Sequence, residues 1–528
     1  MIKRFPANKR SVVLVMVILI FCAGIYILGR KRGGTGYNQT DLYSMPADTR
    51  PSNRVAQGKV LAAKHCTPCH ALPDPSLLDK ENWQAALAMM APRLGIFYHQ
   101  EQSYPIFTDI DQSFYPSSPA MSSMEWQNII DYYTERAPAV LTPAFKKPVK
   151  RELPFFSLEL PSPFFYRRGN TASYVKVDTS VKPHRLLVNR SSSNTLFLLA
   201  ENMQLIDSLV NNGPIVDIDI SRNKYVISII GNNLFGDNSR NGALTPLKIS
   251  RTGKMSYSNE PLFQNLARPV QVQSADLNGD LRKDYLVCEF GNVIGSLFWM
   301  ENKGQNQYLR HDIRAFPGAT KAHIEDYNRD GKPDIWVQFS QGEEGIFLFT
   351  NEGNGSFTEK QVLQVPPSYG SSSFEMNDFN KDGFPDILYT CGDRGDGINQ
   401  VKPYHGVYIF MNNGKNVFSQ KYFYPINGCI KAMAEDFDKD GDLDIAAIGF
   451  FTDNQHPEEG FTFLKNDGDL NFDTYSLPAK ANFHRATTMD VADIDSDGRQ
   501  DIILGHGFIG TKATDDIKPL FIVLKNRF

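Results

Sequence analysis

Several stretches of this sequence carry acidic or amide side chains at alternate positions and then run into an apolar segment. In one of them, Asp436, Asp438 and Asp440 alternate before Gly441, and Asp444 begins the apolar residues. Unpaired, these carboxylates would repel one another, so a bound divalent cation is the physical reason to bring them together. Calcium takes about six to eight hard oxygen ligands and suits such a loop. The spacing therefore predicts a calcium-binding loop.

The pattern D-x-[DN]-x-D-G-x-x-D occurs in full four times, and a fifth copy has Leu281 where the others have glycine. We therefore expect about four to five calcium ions. The predicted ligands are Asp276, Asn278, Asp280, Asp284, Asp326, Asn328, Asp330, Asp334, Asp378, Asn380, Asp382, Asp386, Asp436, Asp438, Asp440, Asp444, Asp493, Asp495, Asp497 and Asp501. The first aspartates are 50, 52, 58 and 57 residues apart. This period is typical of propeller blades, and the flanking helices of an EF-hand are missing from the pattern.

A second group of reactive residues forms the pentapeptide Cys66-Thr67-Pro68-Cys69-His70. Two thiols at this spacing can add to the two vinyl groups of haem, and the adjoining imidazole can bind the iron. A structural zinc would need a second ligand pair nearby, and a redox dithiol is the third interpretation. We predict one covalent haem c attached through Cys66 and Cys69, with His70 as its proximal iron ligand.

Residues 52–138 resemble a small all-α cytochrome c domain. Gly58 falls in the first predicted helix, and residues 122–133 have the pattern of a capped amphipathic last helix. In cytochromes c, the first helix crosses the last through such a contact between a glycine and an aromatic residue. The resemblance implies the same crossing here.

The resemblance also implies a methionine as the distal iron ligand. The stretch 83–95 resembles the Trp-(x)n-Pro-x-Met-(x)n-Leu-Gly segment of exported cytochrome domains, which selects Met90, although Ala88 replaces the proline of that segment. In other cytochromes c the ligand comes from the loop before the last helix, where Met121 stands. Met90 is the predicted ligand and Met121 the alternative, and a packing role in the core is the competing interpretation of each.

The acidic loops belong to a longer array of repeats. Each loop leads into an apolar strand and then a hairpin with Asn-Gly-type turns, which indicates antiparallel strands. Seven units can be counted, marked by Asp178, Asp217, Asp276, Asp326, Asp378, Asp436 and Asp493, and the first two lack the metal-binding set. The array resembles the FG-GAP, integrin-alpha-type (VCBS-like) β-propeller. This implies a seven-bladed all-β propeller over residues 154–528.

The last repeat ends at Phe528 before its final strand. The segment Phe156–Leu160 matches that missing strand. We therefore expect the N-terminal strand of the array to complete the last blade, which would leave no open sheet edge.

The N-terminal region predicts an anchor and a tether. Residues 1–32 contain an uninterrupted apolar run between basic flanks without a small-x-small cleavage site, which favours an uncleaved signal anchor, a transmembrane helix. Residues 33–51 are rich in glycine and polar residues and predict a tether, and the proline- and lysine-rich residues 139–153 predict a linker. The haem motif favours anchoring in the cytoplasmic membrane with the domains on the periplasmic side.

The overall composition excludes some functions and leaves others open. A formal net charge of -4 over 528 residues gives no indication of nucleic-acid binding. The predicted function is electron transfer by an anchored cytochrome whose propeller binds a redox partner, or a small-molecule or glycan ligand in its central channel. Two alternatives are a periplasmic dehydrogenase that passes electrons from the propeller to the haem, and a non-redox adhesion or carbohydrate-binding module. No catalytic residues are predicted, and whether the protein is an enzyme stays open.

Overall fold

The structure is a computed structural model. It describes residues 51–97, 112–221, 224–258, 260–291, 293–394, 401–452, 456–481, 483–508 and 517–528. The predicted signal anchor and almost all of the predicted tether lie outside these residues. Within them, no helix has both the length and the apolar character needed to cross a membrane. Val55–Phe528 form one unit by their contacts.

The described residues before 139 hold three α-helices. They are α1 (Pro51–Cys66), α2 (Lys80–Met90) and α3 (Ser123–Arg136). At the start of α2, the Asp79 carboxylate accepts the N–H of Asn82. At the start of α3, Ser122 and Glu125 form a reciprocal capping box, so the predicted capped last helix is confirmed. We call residues 55–138 the helical segment.

Helices α1 and α3 cross at Gly58. A Cβ atom built on Gly58 would lie 1.9 Å from the carbonyl oxygen of Asn128 and 2.8 Å from the Cβ of Tyr132. Any side chain at this position would therefore push the two backbones apart. The core beneath the crossing includes Trp83, Leu87, Trp126, Ile129 and Tyr133. The predicted glycine-to-aromatic contact between the first and last helices is confirmed.

The rest of the described chain forms seven antiparallel sheets of four or five strands, which we number as blades 1 to 7 in chain order, and one two-stranded ribbon. Two strands, β1 (Phe156–Glu159) and β2 (Tyr166–Arg168), come before the first complete blade. Blade 1 consists of β3 (Ala172–Asp178), β4 (Arg185–Arg190), β5 (Thr195–Ala200) and β6 (Leu205–Val210). Blade 2 consists of β7 (Ile215–Ser221), β8 (Lys224–Ile229), β9 (Gly242–Ile249), β10 (Met255–Tyr257) and β11 (Phe263–Leu266).

Blades 3 to 6 have four strands each. Blade 3 consists of β12 (Pro269–Ala275), β13 (Asp284–Glu289), β14 (Leu297–Gly304) and β15 (Gln307–Arg314). Blade 4 consists of β16 (Ala319–Glu325), β17 (Asp334–Phe339), β18 (Gly345–Gly353) and β19 (Ser356–Gln364). Blade 5 consists of β20 (Ser371–Asn377), β21 (Asp386–Cys391), β22 (Gly406–Asn412) and β23 (Phe418–Pro425). Blade 6 consists of β24 (Cys429–Glu435), β25 (Asp444–Gly449), β26 (Phe461–Asn466) and β27 (Phe472–Ser476).

Blade 7 is built from both ends of the array. It contains β28 (Ala486–Ala492), β29 (Asp501–His506), β31 (Phe521–Asn526) and β1, while β30 (Ile517–Pro519) pairs with β2 in a separate ribbon. Strand β1 runs antiparallel to β31, with Phe156 opposite Asn526 and Glu159 opposite Val523. The predicted closure by the N-terminal strand is confirmed.

The seven blades form a closed ring around a central channel. The first strand of each blade contacts the first strand of the next, and β28 of blade 7 contacts β3 of blade 1. These innermost strands share a register shift near their first residues. The second strands are buried on both faces, as all six residues of β17 show, whereas the outermost strand β19 is mostly exposed. The sequence of the second strands is therefore almost continuously apolar.

We expect Phe156→Ala to lower the free energy of unfolding by about 3 kcal/mol, because it removes a buried ring from the strand that closes blade 7. Phe156 is 7% exposed and its ring lies against Phe437 and Phe463 of blade 6. Urea unfolding followed by far-UV circular dichroism measures the change. The control is Leu160→Ala, one residue beyond β1 and 50% exposed, which should stay within about 0.5 kcal/mol of the parent protein. Equal stability of the two variants would contradict closure by β1.

Candidate functional site

The five predicted calcium loops lie on one face of the propeller. Each connects the first strand to the second strand of a blade, in blades 3 to 7. Because equivalent strand ends meet at the same end of the ring, these loops are neighbours, and we call this end the loop face. The second strands begin at the last aspartate of each pattern, namely Asp284, Asp334, Asp386, Asp444 and Asp501. The predicted arrangement of loop followed by strand is confirmed.

The first aspartate of each loop organises its turn. In blade 4, the Asp326 carboxylate accepts the N–H of Asp330 at 3.0 Å and that of Gly331 at 2.9 Å. Arg329 and Gly331 both have positive φ angles, 60° and 85°, which point the N–H groups inward. The same pair of bonds is made by Asp276, Asp378 and Asp493. The glycine of the pattern is therefore explained by the left-handed backbone that this turn requires.

The last aspartate of each loop is buried and bonds to the third strand of its blade. Asp444 accepts the N–H of Asn466 at 2.8 Å, and Asp501 accepts that of Asn526 at 2.8 Å. Burial raises the pKa of Asp444 to about 7 and the pKa of Asp501 to about 6. A divalent cation beside these carboxylates would favour their charged form and offset that penalty.

Some of the loop oxygens are buried without a hydrogen-bond partner among the described residues. They are Asp334 Oδ2, Asp436 Oδ1, Asp444 Oδ2 and Asp495 Oδ1. Two groups of carboxylate oxygens lie within 4.8 Å of one another, those of Asp436, Asp438 and Asp440 and those of Asp493, Asp495 and Asp501. Buried oxygens without partners are costly, and converging carboxylate oxygens are the ligands that calcium prefers. The residues present therefore fit a calcium ion.

The blade 3 loop keeps the same geometry although Leu281 replaces the glycine. Leu281 has a φ of 66°, and its N–H donates to Asp276 Oδ2 at 2.8 Å, as the glycine N–H groups do in the other loops. Its side chain is 93% exposed and has no packing role. The leucine therefore adopts a backbone conformation that L side chains rarely take, and the loop carries local strain.

Blades 1 and 2 lack the set of metal-binding residues, as the sequence predicts. In blade 1, Asp178 accepts bonds from Arg185 and from Tyr225, both at 2.7 Å, so a guanidinium supplies the positive charge. In blade 2, only two residues separate β7 from β8, too few for the acidic loop. Asp217, which marks this unit in the sequence, lies within β7, so that part of the alignment between repeats was wrong.

The Cys66–His70 turn directly follows helix α1 and brings Cys69 close to Cys66. Cys66 is the last residue of α1, and the Cys69 N–H donates to its carbonyl at 3.2 Å. His70 Nδ1 lies 2.8 Å from the carbonyl oxygen of Ala71. Because a carbonyl can only accept, Nδ1 carries the ring proton and Nε2 is left with its lone pair. Burial raises the pKa of Cys66 to about 11, with Cys69 adding to the effect.

The two candidate distal methionines lie in different surroundings. Met90 is the last residue of α2 and is half-buried. Met121 directly precedes Ser122, is 7% exposed, and belongs to the core of the helical segment with Trp126. Both stay candidates, and the assignment of Met90 stays a prediction.

The helical segment contacts the propeller at the end opposite the loop face. Tyr404 Oη donates to the carbonyl of Leu77 at 3.0 Å, and a Cβ built on Gly342 would lie 3.2 Å from the carbonyl oxygen of Cys69. Tyr404 precedes β22 and Gly342 precedes β18, so both belong to connections between second and third strands. No sequence motif marks this contact, so it could not be predicted from the sequence.

The central channel has mixed charge. Three lysines of the innermost strands contact a neighbouring blade. Lys176 pairs with Asp490 at 2.8 Å, Lys321 forms a longer ion pair with Glu375 at 3.8 Å, and Lys431 donates to the carbonyl of Met489 at 2.7 Å. Burial lowers the pKa of Lys431 to about 8, and the nearby Lys321 contributes.

Other polar side chains join adjacent blades because they accept backbone N–H groups of the next blade. Asp217 accepts the N–H of Val272, Gln271 accepts that of Ala322, and Asp490 accepts that of Val177. Much of the channel polarity therefore serves to join blades.

A cavity of about 410 Å³ opens beside blades 2 and 3. Its polar lining includes Asp217, Asp219, Gln271, Gln273 and Ser274. Burial raises the pKa of Asp217 to about 6. The cavity has carboxylate, amide and hydroxyl groups, which are the groups that bind polyols through hydrogen bonds.

Comparison with known proteins supports the repeat assignment. The FG-GAP-like repeat model matches residues 276–337, 326–389 and 436–504. Cartilage acidic protein 1 from Mus musculus is 28% identical over 175 residues, and that from Xenopus tropicalis is 30% identical over 188 residues. Each match covers 32% of this chain, and the chain spans 26% of the length of these relatives. The predicted FG-GAP repeats are confirmed.

Several solved structures are similar to the chain at low sequence identity. The Dos1 propeller has a TM-score of 0.42 and 9% identity, covering 70% of this chain and 82% of its own. Saccharomyces cerevisiae Sqt1 has a TM-score of 0.42 and 7% identity, covering 69% of this chain and 97% of its own. An ancestral GH74 enzyme has a TM-score of 0.40 and 11% identity, and the match covers 68% of this chain and 48% of the enzyme chain. The seven-bladed assignment rests on the strand pairing described above.

We expect Leu281→Gly to raise the free energy of unfolding by about 1 kcal/mol, because glycine adopts the positive φ of this position without strain. Calorimetric or chemical unfolding at a fixed calcium concentration measures the change. Leu281→Ala is the matched control, since alanine keeps the strained backbone and should leave the stability within about 0.5 kcal/mol of the parent. A glycine variant no more stable than the alanine variant would show that the position is unstrained.

Proposed function

We propose that this protein is a membrane-anchored, exported c-type cytochrome that transfers electrons, and that its calcium-stabilised propeller binds a redox partner or a ligand. The observation that carries the proposal is the Cys66–His70 turn. A bound haem would supply a one-electron carrier there, with Cys66 and Cys69 holding it covalently and His70 holding its iron.

The hydrogen bond of His70 supports this assignment. A histidine that binds a metal usually donates its other ring N–H to a carbonyl or a carboxylate, which fixes the tautomer and the ring orientation. The bond from His70 Nδ1 to the Ala71 carbonyl has this form. It leaves Nε2 as the nitrogen that would bind iron.

The helix arrangement supports the same assignment. The close crossing at Gly58 and the capped helix α3 are the features that the cytochrome c resemblance implies. Met90, or else Met121, would bind the haem iron together with His70. This suits electron transfer in preference to binding an exogenous ligand at the iron.

The calcium ions would be structural fasteners of the propeller. The proposed ligand set is repeated in blades 3 to 7, and this repetition suits a structural role in each of these blades better than a role in a single active site. The loops would hold about four to five ions. A redox partner or a small-molecule or glycan ligand would bind elsewhere on the propeller, and the 410 Å³ cavity at blades 2 and 3 is one candidate position.

A second candidate function is a ligand-binding or adhesion module. It is favoured by the FG-GAP-like repeats and by the similarity to cartilage acidic protein 1. A periplasmic dehydrogenase is the enzymatic alternative. Reduction of the haem by a small substrate without a partner protein would favour the dehydrogenase, and glycan binding by a protein that carries no haem would favour the adhesion module.

We expect the exported protein, produced with the haem maturation machinery, to carry one covalent haem with c-type absorption bands. Intact mass and the pyridine haemochrome spectrum measure attachment. The double variant Cys66→Ala, Cys69→Ala should lose the covalent haem, whereas Cys288→Ala, which changes a buried cysteine of the propeller, should keep it. A parent protein without covalent haem would contradict all the redox functions.

The same preparation separates the two distal candidates. If Met90 is the ligand, Met90→Ala removes the sulfur-to-iron charge-transfer band and lowers the reduction potential, because a harder ligand takes its place. Met121→Ala should then keep that band. Met124→Ala, at a methionine that is 55% exposed on α3, is the control. Loss of the band in Met121→Ala alone would reverse the assignment.

Removal of calcium should lower the melting temperature of the propeller by about 5 °C or more, since each site saturated at about 100 times its dissociation constant contributes about 2.7 kcal/mol. Differential scanning calorimetry with and without a chelator measures the shift. The haem absorption bands should stay nearly unchanged, because the proposed haem ligands are not part of the loops. A collapse of the haem spectrum on chelation would contradict this separation of roles.

A further inference from the structure

In blades 3 to 7 an asparagine stands at or near the end of the third strand, and the position before it is defined by this asparagine, which bonds to the acidic loop of the same blade. In blades 3 to 7 the residues at this position are Glu301, Thr350, Met411, Lys465 and Lys525. The following asparagine is fixed because its N–H bonds to the buried last aspartate of the loop. We call this position the flanking position.

The flanking residue varies together with the third residue of the loop pattern. In blades 4 and 5 the third residue is a neutral amide, Asn328 or Asn380, and the flanking residue is neutral. In blades 6 and 7 the third residue is an aspartate, and the flanking residue is a lysine. A ligand set of four carboxylates with one ammonium has the same formal charge as a ligand set of three carboxylates and an amide.

The contacts show that each lysine pairs with the additional aspartate. Lys465 Nζ lies 3.0 Å from Asp438 Oδ2 and 4.0 Å from Asp440 Oδ2. Lys525 Nζ lies 2.5 Å from Asp495 Oδ2. Both lysine side chains are mostly buried, with exposed fractions of 17% and 18%, so solvent screens these pairs less than it screens pairs on an open surface.

In blade 3 the flanking residue is a carboxylate, and its negative charge is balanced by a different partner. Its flanking residue Glu301 lies 3.0 Å from the amide of Asn278, the third residue of that loop. This additional carboxylate is itself paired with Lys303 at 2.7 Å and with His311 at 2.8 Å. The extra negative charge near the loop again has a cationic partner within its own blade.

The lysines do not take the place of the metal. In blade 6 the oxygens left without a hydrogen-bond partner among the described residues are Asp436 Oδ1 and Asp444 Oδ2, and the ion pairs of Lys465 are with Asp438, Asp440 and Asp467. The ammonium therefore sits at the side of the loop, and the oxygens that most need a cation are still available to one.

We propose that Lys465 and Lys525 are built-in counter-ions that cancel the charge of Asp438 and Asp495, so that the ligand positions of blades 6 and 7, taken together with the lysine, carry the same formal charge as the ligand positions of blades 4 and 5. This inference rests on the proposed calcium sites. The charge of the residue at the flanking position would then control the affinity of the loop for calcium. A full unit of charge near the ion strongly changes the electrostatic attraction between the loop and calcium in a partly buried site.

A double-mutant cycle on the full chain tests the pairing in blade 6. Calcium titration by isothermal calorimetry, with native mass spectrometry to count the ions, would compare the parent with Lys465→Met, Asp438→Asn and the double variant. Lys465→Met should raise the affinity of one site by about tenfold, and Asp438→Asn should lower it by about tenfold. The double variant, which reproduces the arrangement of blade 5, should return to within about twofold of the parent.

The reciprocal change in blade 5 gives an independent test in a loop that has no lysine. Met411→Lys should weaken one calcium site by about tenfold, and adding Asn380→Asp to it should restore the affinity. Lys439→Met is the control for a general loss of positive charge, because Lys439 is an exposed residue of the blade 6 loop and its charge is screened by solvent. Lys525→Met repeats the test in blade 7 and replaces the blade 6 variant if Lys465→Met does not fold.

The outcomes separate this inference from the proposed function. If the parent binds no calcium, the proposed calcium sites fail and the inference fails with them. If the parent binds calcium and Lys465→Met, or Lys525→Met where it replaces that variant, leaves every affinity within about twofold, the counter-ion role is wrong and the calcium sites stand. Loss of one bound ion in Lys465→Met would also overturn the inference, since the lysine would then hold the loop together instead of balancing its charge.

Discussion

The buried carboxylate at the start of the second strand is the interaction on which the loop face of blades 3 to 7 depends. In blade 5, Asp386 accepts the N–H of Phe379 in the loop at 3.0 Å and the N–H of Asn412 in the third strand at 2.8 Å. One side chain thus connects the loop, the second strand and the third strand. Its burial raises the pKa of this carboxyl, so the folded state carries a penalty that either a proton or a cation must offset. A calcium ion at the loop would therefore stabilise strand pairing as well as the loop itself.

The same network continues from blade to blade around the ring. The side-chain amide of Asn351 in blade 4 donates to the carbonyl of Leu277 in the blade 3 loop, and Asn526 in blade 7 donates to Phe437 in the blade 6 loop. His184 of blade 1 lies 2.6 Å from the carbonyl of Asp493 in the blade 7 loop. Each of these hydrogen bonds joins the acidic loop of one blade to the blade that follows it. Closure by β1 adds a further constraint, because it joins the two ends of the array within one blade.

Much of the propeller could be predicted from the sequence because its determinants are local and repeated. The acidic loops fix where second strands begin, and their spacing fixes the blade length. The match of Phe156–Leu160 to a missing strand predicted the closure. Asp217 was misplaced because blade 2 has no acidic loop to set its register. The paired lysines of blades 6 and 7 were missed for a different reason, since Lys465 and Asp438 are 27 residues apart and only the strand register brings them together.

The contact between the helical segment and the propeller shows a further limit, which follows from strand direction. In blades 3 to 7 the connections between first and second strands are all eight residues long, because the ligand pattern fixes them. The connections between second and third strands lie at the opposite end and range from five residues in blade 4 to fourteen in blades 5 and 7. No repeated pattern constrains these lengths, so this end can acquire a docking surface without disturbing the loop face. The helical segment is contacted from this end by Gly342, in the five-residue connection of blade 4, and by Tyr404, in the fourteen-residue connection of blade 5. A sequence pattern identifies the face that repeats, whereas the face that differs between blades is identified only once the strands are assembled.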